Sequence, residues 1–323
     1  MRSISWILAG LCLITVSSTL NATTLTISRY TCPIGKQKFY ATSFSSFTSD
    51  TTGPDGRPIN SMGGHIPYPE CPGNRLIIYR DFSLEELKAL KVIIRSPEYK
   101  LLVKTESSLY RVAWLEKSLN PKSSDYVWHL LRATWYVEGN AEWKARYRQA
   151  FLSVAEGISA NPSDINSMTL RLRVLNAWRE MGQFDRVLNE LSAISIDDFA
   201  NGLPENEEDA DRLSQPDQAR WLFVRDARRL KKLAIRRDTS VIPIDDLPQW
   251  ASDEACLVRE PKNEFETFFC AQPEVMARTA EDRAYYATNP EELANLRWES
   301  TYDGPINGPP QRSFLTKLLD WIF

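Results

Sequence analysis

Between residues 82 and 240, apolar residues recur at every third or fourth position, and no other feature constrains the fold as strongly. This period is typical of amphipathic α-helices that bury one face. Ser83 and Glu86 have the spacing of a capping box at a first helix start. Pro97 marks a second start, and Pro121 ends that second helix. Further helices are predicted over 126–138, 141–159, 165–181, 184–194 and 218–237. The pattern therefore predicts a mainly α protein in which antiparallel helices are joined by short turns.

The region before these helices, residues 23–81, predicts a small β-rich module and makes the whole fold α+β. Lys38–Phe44 and Arg75–Tyr79 are strand-like runs of β-branched and aromatic residues. Between them, Ser45–Pro69 is rich in Ser, Thr, Gly and Pro, which is typical of a long loop. Within that loop, Pro54-Asp55-Gly56 has the composition of a turn.

The first 22 residues have the three-part pattern of a secretory signal peptide. Arg2 precedes the apolar run Trp6–Val16, and small polar residues follow it up to Ala22. The apolar run is too short to span a bilayer. We therefore expect cleavage near Ala22 and a mature protein that is periplasmic or secreted.

The overall composition describes a globular protein, since 43% of the residues are hydrophobic and 11% are aromatic. The net charge of −3 gives no general attraction to nucleic acid, and no nucleic-acid partner is predicted. The chain contains no nucleophile elbow, HExxH helix or phosphate-binding glycine loop. The sequence thus predicts no cofactor, no metal and no catalytic residues.

Four cysteines remain after removal of the signal peptide, and in an oxidising compartment they predict two disulfides. Sequence alone permits three pairings. We favour Cys32–Cys71 and Cys256–Cys270, because each of these pairs lies within one local segment. The second pair falls in 241–303, where prolines interrupt the helical pattern, and this stretch is predicted to be irregular and held by its disulfide.

Two stretches of the helical region resemble the tetratricopeptide repeat, in which a glycine turns the chain between two helices and an aromatic residue packs back on the first. The residues that carry the resemblance are Trp128, Leu131, Trp135, Gly139, Trp178, Gly182 and Phe184. A generic helical bundle is the alternative. The resemblance implies stacked helical pairs that leave a groove for an extended peptide or a partner helix.

The N-terminal module contains two related pieces, Cys32-Pro33-Ile34-Gly35 and Cys71-Pro72-Gly73-Asn74, which resemble the two knuckles of a zinc ribbon. Each has lost the second cysteine that a tetrahedral zinc site needs. A disulfide, a metal with His65 as a third ligand, and two free thiols are the possible states. Over about residues 28–195 the chain is similar to an uncharacterised bacterial family that couples such a ribbon to tetratricopeptide-like helices. That resemblance implies architecture and no activity.

The helix over 218–237 carries eight basic residues, which are Arg220, Arg225, Arg228, Arg229, Lys231, Lys232, Arg236 and Arg237. The four candidate contact residues among them are Arg225, Arg228, Arg229 and Lys232. One interpretation is a solvated face that the preceding acidic stretch, 197–211, neutralises. The other is a contact surface for an acidic partner or lipid head groups.

We therefore predict an exported protein–protein interaction scaffold that acts in the bacterial periplasm or cell envelope through a helical-repeat groove. One alternative is an exported enzyme with a site near His65, between the β module and the helices. Another is envelope association through the basic helix and the amphipathic segment Phe314–Phe323, which follows a linker within 304–323. The peripheral membrane contact would then involve that terminal segment.

Overall fold

A computed structural model of the chain describes residues 24–46, 51–59, 68–137, 140–260 and 262–294. The protein is mainly helical, with a small antiparallel two-stranded sheet near its N-terminus, as the sequence predicted. The predicted signal peptide (1–22) and the predicted C-terminal linker and amphipathic segment (304–323) lie outside the described residues. None of the described helices is long and apolar enough to cross a membrane.

Two β-hairpins precede the helices. Strands β1 (Thr24–Thr31) and β2 (Lys38–Ser46) pair antiparallel. Tyr30 lies opposite Phe39, and their rings are stacked with 5.8 Å between centroids. Strands β3 (Thr51–Thr52) and β4 (Pro58–Ile59) form a second, much shorter hairpin. The strand predicted over 75–79 is absent, because this stretch follows a tight turn and contributes one isolated bridge, from Ile77 to Glu70.

Three helices follow: α1 (Leu84–Ile93), α2 (Pro97–Thr105) and α3 (Ser108–Leu119). The capping box predicted at the start of α1 is formed. The single helix predicted from Pro97 to Asn120 is wrong, since it is divided into α2 and α3. The break arises because Glu106 is extended and the Ser107 side chain accepts a hydrogen bond from the backbone N–H of Tyr110, which starts a new helix.

Five central helices lie close to their predicted positions. They are α4 (Asp125–Trp135), α5 (Ala141–Ala155), α6 (Ile165–Glu180), α7 (Phe184–Ser192) and, after two short helices that were not predicted, α8 (Ile196–Ala200) and α9 (Glu207–Ala210), the long α10 (Gln215–Ile235). Helix α5 ends before the predicted Ser159 because the chain turns at Glu156 and Gly157. Helix α10 begins before the predicted residue 218 because Ser214 caps it and Pro216 is tolerated in the first turn.

Consecutive helices pack on one another, and α10 lies against α6, α7 and α8. The main hydrophobic core runs through α4, α5, α6, α7 and α10. Its most deeply buried side chains include Val127, Phe151, Leu175, Val187 and Ala227. A second core joins the N-terminal module to α1, α2 and α3 around Leu76, Leu90, Tyr99 and Leu115.

Much of the described chain after residue 241 is helical, so the prediction of an irregular stretch over 241–303 is wrong for most of residues 249–288. Helices α11 (Gln249–Val258), α12 (Glu264–Cys270), α13 (Pro273–Arg278) and α14 (Ala280–Thr288) follow a 3-10 turn over 244–246, and residues 290–294 are also helical. Prolines do not interrupt these helices because they stand at their starts. Pro248 occupies the N-cap of α11 and Pro273 the first turn of α13, where no backbone N–H is needed.

Both disulfides form with the predicted pairing. Cys32 is joined to Cys71, with 5.6 Å between their Cα atoms, and the bridge lies in the second core. Cys256 in α11 is joined to Cys270 at the end of α12, with 5.4 Å between their Cα atoms. The two related pieces that begin at Cys32 and Cys71 are therefore linked by a covalent bond between these cysteines.

Candidate functional site

The β3–β4 hairpin lies against the helical domain and covers one face of it. Gly53, Pro54, Asp55 and Arg57 at its tip are buried. The surface beneath comes from four helices, and we call it the groove. Its lining residues are Leu131 and Thr134 of α4, Arg148 and Phe151 of α5, Arg173, Asn176 and Glu180 of α6, and Asp226 and Arg229 of α10. A part of the chain predicted to be a long loop thus occupies the helical surface.

Two arginines of the groove bind the backbone of the hairpin. Arg173 donates through Nη1 to the carbonyl oxygen of Pro54 at 2.8 Å, and Arg229 donates through Nη1 to that of Thr52 at 2.6 Å. Arg173 is 8% exposed. These bonds recognise main-chain atoms, so they hold the shape of the bound segment and place no demand on the side chains that contribute the carbonyls.

Aspartates on α10 and in the turn that follows it orient these arginines. Asp226 accepts from Arg173 Nη2 at 2.9 Å and, with its other oxygen, from Arg225 Nη2 at 2.9 Å. Asp246 accepts from Arg229 Nε at 2.8 Å. Burial raises the pKa of Asp246, opposed by the positive charge of Arg229. The guanidinium groups of Arg173 and Arg229 thus each donate one hydrogen bond to a carboxylate and another to a carbonyl oxygen of the hairpin.

The hairpin tip has a conformation that its own residues maintain. The Asp55 carboxylate accepts from the backbone N–H of Arg57 at 3.0 Å and from Arg57 Nε at 2.8 Å. Gly56 has φ +86°, and a Cβ there would lie 3.0 Å from Nε of Arg173. A Cβ at Gly53 would lie 2.9 Å from Oδ1 of Asp55. Glycine is therefore required at both ends of the turn. Gly56 is required because of its left-handed φ and its contact with Arg173, and Gly53 because of its contact with Asp55.

A cavity of about 10 Å³ remains between Asp55 and the helices, which is room for about one water molecule. Polar groups border it: Arg148, Arg173, Asn176 and Glu180. Asn176 Nδ2 donates to Glu180 at 2.8 Å, and Arg148 also donates to Glu180. While the hairpin is in place, this part of the groove has no room for a peptide.

Arg179 of α6 is fully buried and connects α6 to the chain beyond α10. It donates to the carbonyl oxygens of Asp238 and Ser240, the second at 2.8 Å, and its Nε donates to Asn176 at 2.9 Å. Burial lowers the pKa of Arg179, and neighbouring acidic groups oppose this effect. The same helix thus holds both the hairpin, through Arg173, and the start of the C-terminal segment.

The described repeat positions belong to the helix packing. Leu131, Trp135, Trp178 and Phe184 are buried, and Trp128 is partly buried against the main core. Gly182 turns the chain between α6 and α7 with φ +76°, and Gly139 lies outside the described residues. Of the positions listed, Leu131 is the one that also lines the groove.

Most of the four basic candidates of α10 pair with acidic residues within or after that helix, and not with the acidic stretch 197–211 that precedes it. Arg225 pairs with Asp226 and Arg229 with Asp246, while Lys232 lies 3.0 Å from Asp245. Arg228, whose side chain is 58% exposed, is 4.0 Å from Asp197 in the acidic stretch before the helix. The preceding acidic stretch therefore pairs with one of these four, and Arg229 belongs to the groove.

The two histidines have different outcomes. His65, the residue of the predicted enzyme alternative, lies outside the described residues. His129 of α4 packs edge-on to Tyr79, with 5.6 Å between ring centroids. Burial, with a smaller contribution from Arg132, lowers its pKa to about 4, and its Nδ1 has no hydrogen-bond partner within the described part of the chain. This histidine is neutral at physiological pH.

Sequence reasoning missed Arg173, Asp226 and the contact between the hairpin and the helices. One signal was present, since Arg173 interrupts the apolar run of α6 between Leu172 and Val174, both of which are buried. A charged residue at such a position is buried with a partner. The partner itself could not be read, because Pro54 is 119 positions away.

Comparison with known proteins adds no relative. No protein-family model, no curated protein and no solved structure matches this chain. Among the described residues, no three or more His, Cys, Asp or Glu side chains are grouped so that they could hold a metal ion.

Proposed function

We propose that this protein is an exported protein-binding scaffold, and that its groove binds a segment of a partner protein in the bacterial periplasm or cell envelope. The proposal depends on one observation, which is that the β3–β4 hairpin is bound in the groove. Arg173 and Arg229 already bind a stretch of polypeptide through its carbonyl oxygens. A surface that binds one peptide segment through its backbone has the chemistry to bind another.

The proposed compartment is supported by the cysteines. Cys32–Cys71 and Cys256–Cys270 are disulfides, which are compatible with an oxidising location outside the cytoplasm. The apolar run before Ala22 supports export by a signal peptide. The basic residues of α10 give less support to lipid binding, because Arg225, Arg229 and Lys232 already have acidic partners within the chain.

Cross-linking in the native envelope tests the proposal. The wild-type protein, Arg173→Gln and Arg228→Ala are expressed, cross-linked and purified, and the captured proteins are identified by mass spectrometry. We expect one near-stoichiometric partner with the wild type and with Arg228→Ala, and its loss with Arg173→Gln. Arg228 is the matched control because it lies on α10 with an exposed side chain and does not line the groove.

The captured partner is then purified and titrated against the same three proteins by calorimetry. Binding that survives in Arg173→Gln, with circular dichroism showing intact helices, would place the interaction elsewhere on the molecule. A wild-type protein that captures no stoichiometric partner would contradict the scaffold function itself.

A further inference from the structure

We infer that the partner segment is a glycine-bounded β-turn that carries an aspartate, and that it binds by displacing the chain's own β3–β4 hairpin. This inference rests on the proposed function and specifies the ligand chemistry and the regulation of the same groove. The hairpin is, in this view, a resident ligand that resembles the external one.

The groove recognises the backbone at a point where the chain reverses. The two bound carbonyls, of Thr52 and Pro54, are two residues apart, a spacing that an extended strand also presents on one side. The second of them, however, lies inside the turn that the Gly56 N–H closes by donating to the Gly53 carbonyl oxygen at 2.9 Å. The groove therefore fits a turn better than the extended peptide or helix expected from the repeat resemblance.

Glycine is needed at the position of the turn that faces Arg173. Gly56 lies against the guanidinium of Arg173, and a Cβ would be 3.0 Å from Nε and 3.2 Å from Cζ. Arg173 cannot withdraw easily, because Asp226 and the Pro54 carbonyl hold it from two sides. A ligand must therefore have glycine at the position that faces Arg173, and the left-handed φ of +86° imposes the same preference.

A buried carboxylate lies at the tip of the hairpin. Asp55 is 4% exposed, accepts from Arg57 Nε of the same turn at 2.8 Å, and borders the cavity that Arg148 and Arg173 also border. A carboxylate is buried favourably where cations and donors surround it. An uncharged side chain at this place would leave the turn without this acceptor, so the ligand is expected to carry an aspartate at the tip of its turn.

The bonds that hold the hairpin on the helices are ones that an external turn can replace. Its strands pair over two residues each, whereas β1 and β2 pair along their length. Its described residues are outside the main hydrophobic core, and Arg173 and Arg229 hold it by hydrogen bonds to two of its carbonyl oxygens. It remains bound because tethering gives it an effective concentration on the order of 1 mM, which an external ligand must overcome.

A labelled peptide of residues 51–59 (TTGPDGRPI) tests the inference on the full-length protein. Gly56→Val in the protein removes its own hairpin from the groove, since valine fits neither the φ nor the space beside Arg173. We expect the peptide to bind Gly56→Val at least about tenfold more tightly than wild type. Adding Arg173→Gln to that variant should abolish the gain.

Two control peptides define the chemistry. A peptide with Asp55→Asn should bind the Gly56→Val protein more weakly, and a peptide with Gly56→Val should not bind it. If the Gly56→Val protein keeps its helices and no peptide binds, the turn chemistry is wrong. The scaffold function would still stand if the envelope partner is captured in an Arg173-dependent way, so the two failures are distinguishable.

Hydrogen exchange of the wild-type protein gives a test that needs no variant to fold. At millimolar concentrations of the native peptide, the backbone amides of Gly53, Gly56 and Arg57 in the protein should exchange faster as the hairpin is displaced. Unchanged exchange at saturating peptide would show that the hairpin is a permanent part of the fold, and this would overturn the inference.

Discussion

Arg173 of α6 and Asp226 of α10 form a buried ion pair with 2.9 Å between Nη2 and Oδ2. The carboxylate also accepts from Arg225, so it is itself held in place. Because Asp226 holds Nη2 of Arg173, the Nη1 N–H of the same guanidinium is directed at the carbonyl oxygen of Pro54. One pair of side chains thus joins two helices and positions the hairpin on both.

Replacing Arg173 with alanine should lower the free energy of unfolding by about 3 kcal/mol, because Asp226 stays buried with half of its partners removed. Denaturant titration followed by circular dichroism measures the change. Arg171→Ala is the matched control on the same helix. Its ion pair with Glu190 is partly exposed, with side chains 21% and 40% exposed, and we expect a loss below about 1 kcal/mol.

The double variant Arg173→Met/Asp226→Leu separates stability from function. It removes both charges together, so it should be more stable than Arg173→Ala while its groove binds no peptide. Equal losses in Arg173→Ala and Arg171→Ala would contradict the importance assigned to the buried pair.

Gly182→Val should destabilise the turn between α6 and α7 by about 1–2 kcal/mol, because φ +76° is unfavourable for a β-branched residue. The reason is backbone strain and not a collision, since the nearest heavy atom to a Cβ, on Phe184, is 4.0 Å away. Gly182→Asn should lose less, because asparagine tolerates this region. Thermal unfolding measures both, and Gly157→Ala, at a glycine without positive φ, is the control. An Asn variant as unstable as the Val variant would argue against strain.

Removing the Cys256–Cys270 disulfide by a double serine substitution should lower stability by about 3 kcal/mol, and removing Cys32–Cys71 by about 4 kcal/mol, since the loops they close span 14 and 39 residues. The first loss should be local. Hydrogen exchange is expected to rise around Ile244, Ala255 and Val275, which form a separate small core with that disulfide. A uniform rise that includes α4 and α6 would contradict this local effect.

Local signals in the sequence were enough to predict much of the fold. The capping box of Ser83 and Glu86 placed α1, and the closeness of the cysteines within each segment favoured the pairing that forms. Errors arose where one residue has two roles. Ser107 lies inside a periodic run but acts as a cap, and Pro248 and Pro273 begin helices although a proline within a helix breaks it.

The groove could not be predicted for a different reason. Its contacts join Pro54 to Arg173 and Thr52 to Arg229, at separations of 119 and 177 positions. No local period encodes such pairs, and the glycine, proline and serine of 45–69 indicated a loop with a turn without showing what the turn packs against. Burial of this turn depends on backbone carbonyls, which every residue carries, and is therefore invisible to a reading of side chains.

Acid should destabilise the protein first through His129. Burial lowers the pKa of this side chain to about 4, compared with 6.5 in an unfolded chain. As the pH falls from about 6.5 to about 4, the unfolded state binds a proton that the folded state excludes, so stability decreases over this interval by up to about 3 kcal/mol. Urea unfolding at a series of pH values measures the slope.

His129→Gln should make the free energy of unfolding depend less on pH between pH 6.5 and 4.5. His65→Gln, which changes the other histidine, is the matched control. Hydrogen bonds from Arg80 lower the pKa of Glu86 to about 2. Burial raises the pKa of Asp245, but hydrogen bonds from Arg236 and Lys232 outweigh this effect and lower it to about 2. These carboxylates stabilise the fold above their unfolded pKa and lose their contribution as the pH falls toward 2, so their effect is concentrated below about pH 4.5. A slope that His129→Gln leaves unchanged above pH 4.5 would show that His129 accepts its proton in the folded protein as readily as in the unfolded chain.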